Sequence, residues 1–257
     1  MKRFKAMLQR CVIFNHIKTI ILYCFYIFIM QILNVLFCLN LCRHNGFKYS
    51  IADNFVMLAR DDFFPISIVS VSILLLVSFF KYDFRAISII KQKTKISMWL
   101  NQVKQVFFLS ALLSILMFSF ALLLSLITYD EIINFSKEAS LFHFFTKSTK
   151  SLPLYMIILV CFLSSIISFI TTFLVILLSK WIFNSYVIGF ITVIIVIWND
   201  IVNDEFNIFF GRNSSFYYHW LNIPKMILDF LSALFIIIIL IVLGIIIARK
   251  KEFIDAN

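Results

Sequence analysis

The chain has 257 residues, of which 62% are hydrophobic, 18% are aromatic and only 14% are charged. Water-soluble domains are roughly 45–50% apolar and about 25% charged, so this composition excludes an ordinary soluble fold. The formal net charge of +10 does not indicate a nucleic-acid-binding surface, because the basic residues cluster at the ends of apolar runs, as membrane topology requires. We therefore predict an integral membrane protein whose solvent is the lipid bilayer and which binds no nucleic acid.

The first 16 residues combine apolar and basic positions at helical spacing. The apolar positions are Met1, Phe4, Leu8, Cys11 and Val12. The basic positions, mostly on the opposite side, are Lys2, Arg3, Lys5 and Arg10. This pattern predicts an amphipathic elbow helix over 1–16 that lies flat on the inner leaflet, and the alternative is a basic tail that only sets the topology. The apolar run that follows is too long for a cleaved signal peptide and lacks a small-residue cleavage site, so we expect it to be a retained span.

Six apolar runs are long enough to cross the bilayer as helices. Crossing about 30 Å of hydrocarbon takes roughly 20 apolar residues, and an open sheet edge cannot be left in lipid. The predicted spans lie at about residues 19–41, 64–80, 106–128, 154–179, 181–198 and 224–248. The predicted fold is therefore all-α, a single polytopic transmembrane domain over residues 1–257 with six transmembrane helices. The fourth and fifth spans meet at residues 179–181, which predicts a tight helical hairpin.

The distribution of charge predicts that both termini are cytoplasmic. With the N-terminus inside, 15 of the 23 Lys and Arg residues fall in inside segments and 8 in outside segments. Ten of the 13 acidic residues fall outside, which agrees, although the positive-inside rule gives acidic residues little weight. We expect a multi-pass protein of the bacterial cytoplasmic membrane.

The six runs carry no Asp, Glu, Lys, Arg or His near mid-depth. Proton-coupled and ion-coupled transporters usually need such a group, because coupling binds a charge at depth. None of the four glycines begins a phosphate-binding GxxxxGK[ST] loop, and no paired CxxC motifs indicate a metal site. We therefore predict no catalytic, cofactor-binding or metal-binding residues, and hence no enzyme. The many serines of the spans, Ser114 and Ser165 among them, are expected to mediate close helix packing.

Residues 81–105, between the second and third spans, form the longest predicted inside loop. Phe84, Ile87 and Ile90 share a helical stripe, a polar turn with Lys91, Lys93 and Lys95 follows, and Trp99 is placed for the aromatic belt at the headgroups. The pattern favours a short docking helix, and the alternative is a basic loop held against anionic lipid; the two are compatible.

This order of features resembles the membrane subunit of ABC-2-type ATP-binding-cassette exporters, and the composition is similar to that of bacterial peptide-export and bacteriocin-immunity permeases. The resemblance covers the whole chain in layout and about 25 residues in motif. The motif consists of Asp83-Phe84-Arg85, Ile89 through Lys95, and Trp99 through Lys104. It implies that Asp83, Phe84, Arg85, Ile87, Ile90, Lys91, Lys93 and Lys95 couple the chain to an ATPase. It also implies that ATP and Mg are bound by that separate ABC ATPase subunit, and that a second permease subunit, identical or different, completes the membrane dimer.

The loop between the fifth and sixth spans is rich in aromatic residues, which should not stay in water. We predict an interfacial or re-entrant outer cap that includes Phe209, Phe210, Phe216, Tyr217 and Trp220. The cap is interpreted either as an interfacial segment without cargo contact or as a gate on an export path.

The leading hypothesis is a permease subunit of an ATP-driven exporter that moves an amphipathic or hydrophobic cargo such as a peptide. A non-transporting membrane scaffold or sensor would explain the missing intramembrane charges equally well. An intramembrane enzyme is the third and least supported hypothesis, because the spans hold no histidine to act as a base for their serines.

Overall fold

Among the residues that the computed structural model describes, every element longer than a single bridge is helical. The structure describes residues 17–58, 69–80, 83–84, 94–149, 153–202 and 222–251. The helices are α1 (Ile17–Asn45), α2 (Ile51–Leu58), α3 (Ser70–Phe80), α4 (Lys95–Thr128), α5 (Leu141–Thr146), α6 (Leu154–Phe183), α7 (Tyr186–Val202) and α8 (Ile223–Lys250). Within these residues the only strand-like pairing is an isolated bridge between Lys48 and Ser140. The predicted all-α class is confirmed.

Four of these helices, α1, α4, α6 and α8, are long and apolar enough to cross a membrane, and α7 contains a shorter apolar stretch, Tyr186–Asp200. The protein is therefore membrane-embedded. The described part of the predicted second span is α3, which has 11 residues. The predicted elbow helix over 1–16 lies outside the described residues.

Helix α6 is the centre of the bundle. It packs against α4, α7, α8 and the short α2, and its buried side chains include Phe169, Phe173 and Leu174. The outer helices α1 and α8 instead leave large apolar side chains exposed, for example Leu22 and Phe235. Exposed apolar surface of this extent is stable where lipid, not water, surrounds it.

The α4–α6 contact contains buried hydroxyl groups. Ser165 Oγ on α6 donates to Ser114 Oγ on α4 over 3.1 Å, and both side chains are buried. Small residues let two helix backbones approach closely, and a hydroxyl pair adds an interhelical hydrogen bond. The packing interpretation of these serines is thus supported by a direct contact.

Two helix boundaries differ from the predicted spans. Helix α4 begins at Lys95, well before the predicted residue 106, because Thr94 caps it: Thr94 Oγ1 accepts from Ser97 N at 3.1 Å. The α6–α7 hairpin turns at Asn184, which has a left-handed φ of 56°, and not at residues 179–181. Near this turn Gly189 has no Cβ to hold α7 away from α6, and a Cβ there would lie 2.7 Å from Ile176 Cα.

Helix α2 is an element that sequence patterning did not predict. It follows α1 and packs among α1, α4 and α6, with its described side chains, Ile51 through Met57, all buried. Ser50 and Asp53 form a capping box at its start: Ser50 N donates to Asp53 Oδ2 at 2.8 Å, and Asp53 N donates to Ser50 Oγ at 3.3 Å. The predicted spans left this segment only as the connection between the first span, which ends at about residue 41, and the second, which begins at about residue 64. The capping box uses the Asp53 carboxylate, and this allows the segment to be buried as a helix.

Residues 46–50 and 129–147 form a small lobe at the end of the bundle where α4 stops. Lys48 N donates to Ala139 O at 2.9 Å, and the rings of Phe135 and Phe142 stack with centroids 4.6 Å apart. Burial raises the pKa of Tyr129, which stacks on Tyr49 within this lobe. The lobe gives the loop after α4 a packed structure of its own.

Candidate functional site

Five helices have an end at the side of the bundle where α4 begins, called here the Lys95 end. Phe80 ends α3, Lys95 begins α4, Phe183 ends α6, Tyr186 begins α7 and Lys250 ends α8. The Tyr186 hydroxyl donates to the carbonyl of Phe80 at 3.4 Å, which joins the start of α7 to the end of α3. Residues 83–84, which lie near the start of the predicted coupling loop over 81–105, are at this junction.

A hydrogen-bonded chain connects the loop to the bundle through Gln102. Gln102 Nε2 donates to Asp83 Oδ2 at 3.2 Å, and Trp181 Nε1 donates to Gln102 Oε1 at 2.8 Å. Gln102 and Trp181 are fully buried, whereas Asp83 is half-buried. A buried amide that satisfies two partners fixes both in position, since losing either bond leaves a polar group desolvated. Gln102 therefore ties Asp83 to α4 and α6 at once.

Three aromatic rings surround this chain. The Trp181 ring meets Trp99 edge to face with centroids 6.1 Å apart and meets Phe84 in the same manner at 5.6 Å. Trp99 Nε1 donates to the carbonyl of Ile241 on α8 at 3.1 Å, and the ring lies on Gly244, where a Cβ would overlap it. Edge-to-face pairs stabilise aromatic clusters, and a buried indole N–H needs an acceptor of this kind. Phe84 therefore packs against Trp181, the side chain whose indole N–H donates to Gln102.

Three lysine side chains lie at the rim of the cluster. Lys251 Nζ donates to the carbonyl of Trp181 and, over 2.8 Å, to Asn184 Oδ1, while Lys95 Nζ donates to the carbonyl of Lys251. Lys180 Nζ lies 5.6 Å from the ring centroid of Phe84, in cation–π range. Burial lowers the pKa of Lys251, and the nearby charge of Lys180 acts in the same direction. The residue after α8 is thus joined to both the α6–α7 turn and the start of α4.

The structure brings together three of the predicted coupling residues, Asp83, Phe84 and Lys95, at the two borders of the loop. The other five, Arg85, Ile87, Ile90, Lys91 and Lys93, lie outside the described residues. The predicted outer-cap residues, Phe209, Phe210, Phe216, Tyr217 and Trp220, also lie outside them.

Sequence reasoning missed Gln102, Trp181 and Lys251 as members of this cluster. Gln102 carried a usable signal: it is an amide three positions after Trp99 in a helix whose neighbouring buried positions are apolar. Trp181 and Lys251 carried none, because their partners are distant in sequence.

The described side chains of the cluster form an arrangement that can hold the helix ends in position. They are an amide, a carboxylate, two indole groups, a phenyl ring and lysines. Across the described residues, no three His, Cys, Asp or Glu side chains are placed to hold a metal ion. Comparisons of the chain with protein-family models, with curated proteins and with solved structures found no match.

Proposed function

We propose that the chain is the membrane-spanning permease subunit of an ATP-driven exporter and that the Lys95-end cluster couples it to a separate ATPase subunit. The observation that carries the proposal is the Asp83–Gln102–Trp181 chain, in which a loop border is bonded to the buried ends of two long apolar helices. A subunit driven from outside needs such a rigid attachment, because a loose loop would absorb the motion it receives.

The attachment supports coupling because it extends to most of the bundle. A force on residues 83–95 acts on α4 and α6 through Gln102, and on α8 through Trp99 and the Lys95–Lys251 contact. Packed helices and satisfied polar networks move as units between discrete arrangements. In this proposal, closure of the ATPase pair moves the loop, and the helix ends follow together.

Topology and cargo are part of the same proposal. Six crossings with both termini in the cytoplasm of a bacterium would place residues 83–95 on the side where ATP is present. The apolar and hydroxyl side chains between the helices suit an amphipathic or hydrophobic cargo such as a peptide. A second permease subunit, identical or different, would supply the other half of the path.

Charge reversal in the loop tests the proposal. The chain is purified from native membranes with any associated ATPase, and ATP hydrolysis is compared between wild type and a Lys91→Glu/Lys93→Glu variant. We expect the variant to lose at least about tenfold in stimulated hydrolysis or in ATPase recovery, because two glutamates in place of lysines would reverse the charge complementarity by which a basic loop docks on its partner.

The matched control reverses two exposed basic residues at the other end of the bundle, Arg43→Glu/Lys48→Glu. It should leave hydrolysis unchanged. Equal activity in wild type and the loop variant, or co-purification of no ATPase with either, would reject the coupling assignment and favour the scaffold or sensor hypothesis.

A further inference from the structure

Two ammonium groups meet at the turn between α6 and α7. Lys180 Nζ donates to the carbonyl of Asn184 at 2.7 Å, and Lys251 Nζ donates to the side-chain oxygen of the same residue at 2.8 Å. Lys251 Nζ also donates to the carbonyl of Trp181. The two positive charges, called here the lysine pair, are therefore held beside one residue by acceptors that carry no charge.

The lysine pair is not neutralised by a carboxylate of the described residues. Between these residues the one ion pair is that of Lys137 with Glu131, in the lobe at the other end of the bundle. Asp83, at the same end as the lysine pair, is bonded to α4. The charge of Lys180 adds to the effect of burial in lowering the pKa of Lys251. An anion placed between the two ammonium groups would remove their mutual repulsion.

The lysine pair also keeps N–H donors for such an anion. An ammonium group has three N–H donors. Among the described residues, Lys180 uses one of them on Asn184, and Lys251 uses two, on Asn184 and Trp181. Two donors of Lys180 and one donor of Lys251 remain. A phosphate diester, with one negative charge shared by two oxygens, is an anion that can accept them.

An exposed apolar stripe on α7 begins beside the lysine pair. The ring centroid of Tyr186, the first residue of α7, is 5.2 Å from Lys180 Nζ. Four apolar side chains three or four positions apart, which share one face of a helix, are each more than half exposed: Val187, Ile191, Ile195 and Trp198. The stripe is about 16 Å long, close to half of the roughly 30 Å hydrocarbon core. It therefore has the length of an acyl chain in one leaflet.

The surroundings of the lysine pair favour a lipid over a soluble anion. Ile182 and Phe183, just before Asn184, are exposed as well. A soluble anion would meet the ammonium groups across this border of apolar side chains. A phospholipid brings its phosphate and its acyl chain to the same border at once, as lysines at the end of a membrane helix require.

We infer that the α6–α7 turn binds one anionic phospholipid, with the phosphate diester between Lys180 and Lys251 and an acyl chain along the exposed stripe of α7. Zwitterionic phospholipids carry a cation of their own, which the lysine pair repels, so the site selects a net negative headgroup. This site is separate from the basic loop over 81–105. The inference requires that the chain lies in a membrane and does not require coupling to an ATPase.

Native mass spectrometry of the delipidated full chain in detergent tests the inference. The chain is titrated with phosphatidylglycerol and, separately, with phosphatidylcholine of the same acyl chains. A lysine near an anionic lipid contributes about fivefold in binding, so the lysine pair should give one phosphatidylglycerol molecule a preference of roughly thirtyfold. The Lys180→Gln/Lys251→Gln variant should lose this preference.

The matched control is Arg249→Gln/Lys250→Gln, which removes the same charge from two exposed side chains at the same end. It should keep most of the preference. Lys180→Gln alone should lose about fivefold, and it guards against a folding defect in the double variant because it breaks only one bond to an exposed turn residue.

Three results would overturn the inference. The first is an unchanged preference in Lys180→Gln and in the double variant. The second is an equal loss in Arg249→Gln/Lys250→Gln, which would show that surface charge alone attracts the lipid. The third is displacement of phosphatidylglycerol from the wild type by excess inorganic phosphate, which would identify a soluble anion as the ligand.

Discussion

Replacement of Gln102 by Leu should destabilise the bundle at its Lys95 end. The substitution removes the acceptor 2.8 Å from Trp181 Nε1 and the donor 3.2 Å from Asp83 Oδ2, while it keeps the side-chain volume nearly constant. Truncating one partner of a buried hydrogen bond costs about 1–3 kcal/mol, and the half-buried Asp83 carboxylate recovers part of its loss from water. We therefore expect the free energy of unfolding to fall by about 2 kcal/mol.

Equilibrium unfolding in mixed micelles, followed by tryptophan fluorescence, measures this change. Asn101→Leu is the matched control, because Asn101 is the neighbouring amide of α4 but is exposed. The control should stay within about 0.5 kcal/mol of wild type. If Gln102→Leu and Asn101→Leu are equally stable, the bonds to Asp83 and Trp181 do not hold this end together.

A Gln102→Glu variant separates the two bonds. It keeps an acceptor for Trp181 but places a second carboxylate beside Asp83. Because two adjacent carboxylates cannot both ionise cheaply, the pKa of the pair rises above the unfolded values. The variant should therefore be destabilised at neutral pH and recover as pH falls through the raised pKa, with no such recovery in Gln102→Leu. A pH-independent stability difference would contradict the assigned Gln102–Asp83 contact.

Three further changes test the packing of the fold. Gly189→Ala should lower the free energy of unfolding by at least about 2 kcal/mol, because the new Cβ would overlap Ser179 and lie 2.7 Å from Ile176 Cα. Gly46→Ala should lower it by only about 1 kcal/mol, because the φ of 71° is strained for alanine but nothing lies within 4 Å of the new Cβ. Thermal unfolding of the pair in one detergent checks the order, and a reversed order would refute the close α6–α7 approach. Ser50→Ala should cost about 1 kcal/mol through loss of the α2 cap, measurable in the same assay, and an unchanged melting temperature would contradict the capping box.

Hydropathy predicted the long helices because a run of apolar residues in lipid has few structural alternatives. Helices α1, α4, α6 and α8 each overlap a predicted span. The boundaries were less well predicted, since they depend on single residues. Thr94 starts α4 early by capping it, and Asn184 ends α6 by adopting a left-handed conformation that Asn tolerates well.

The polar parts of the fold were not predictable from periodicity. Helix α2 carries Asp53 and Asn54 among apolar residues. In the structure Ser50 is a hydrogen-bond partner of Asp53, and Asn34 and Ser125 are partners of Asn54. The capping box is local and was available as an S-x-x-D pattern. The bonds to α1 and α4 join residues far apart in sequence, which no single-sequence pattern encodes.

The candidate site, too, was predicted from the sequence only in part. The basic loop and its border residues Asp83, Phe84 and Lys95 were predicted from local pattern and from resemblance to a family. Their anchoring through Gln102 and Trp181 is a tertiary arrangement, set by how α4 and α6 pack. The loop pattern thus predicted the location of the candidate site, and the structure shows which side chains attach its two borders to the helices.

Site-specific photocrosslinking at Lys91 in native membranes tests the coupling account most directly. A photoreactive residue is placed at Lys91 and, as a control, at Lys137 in the lobe at the other end of the bundle. The account predicts that Lys91 captures a soluble subunit with a nucleotide-binding Walker motif and that Lys137 does not. Capture of that subunit from Lys137, or of lipid alone from Lys91, would contradict it.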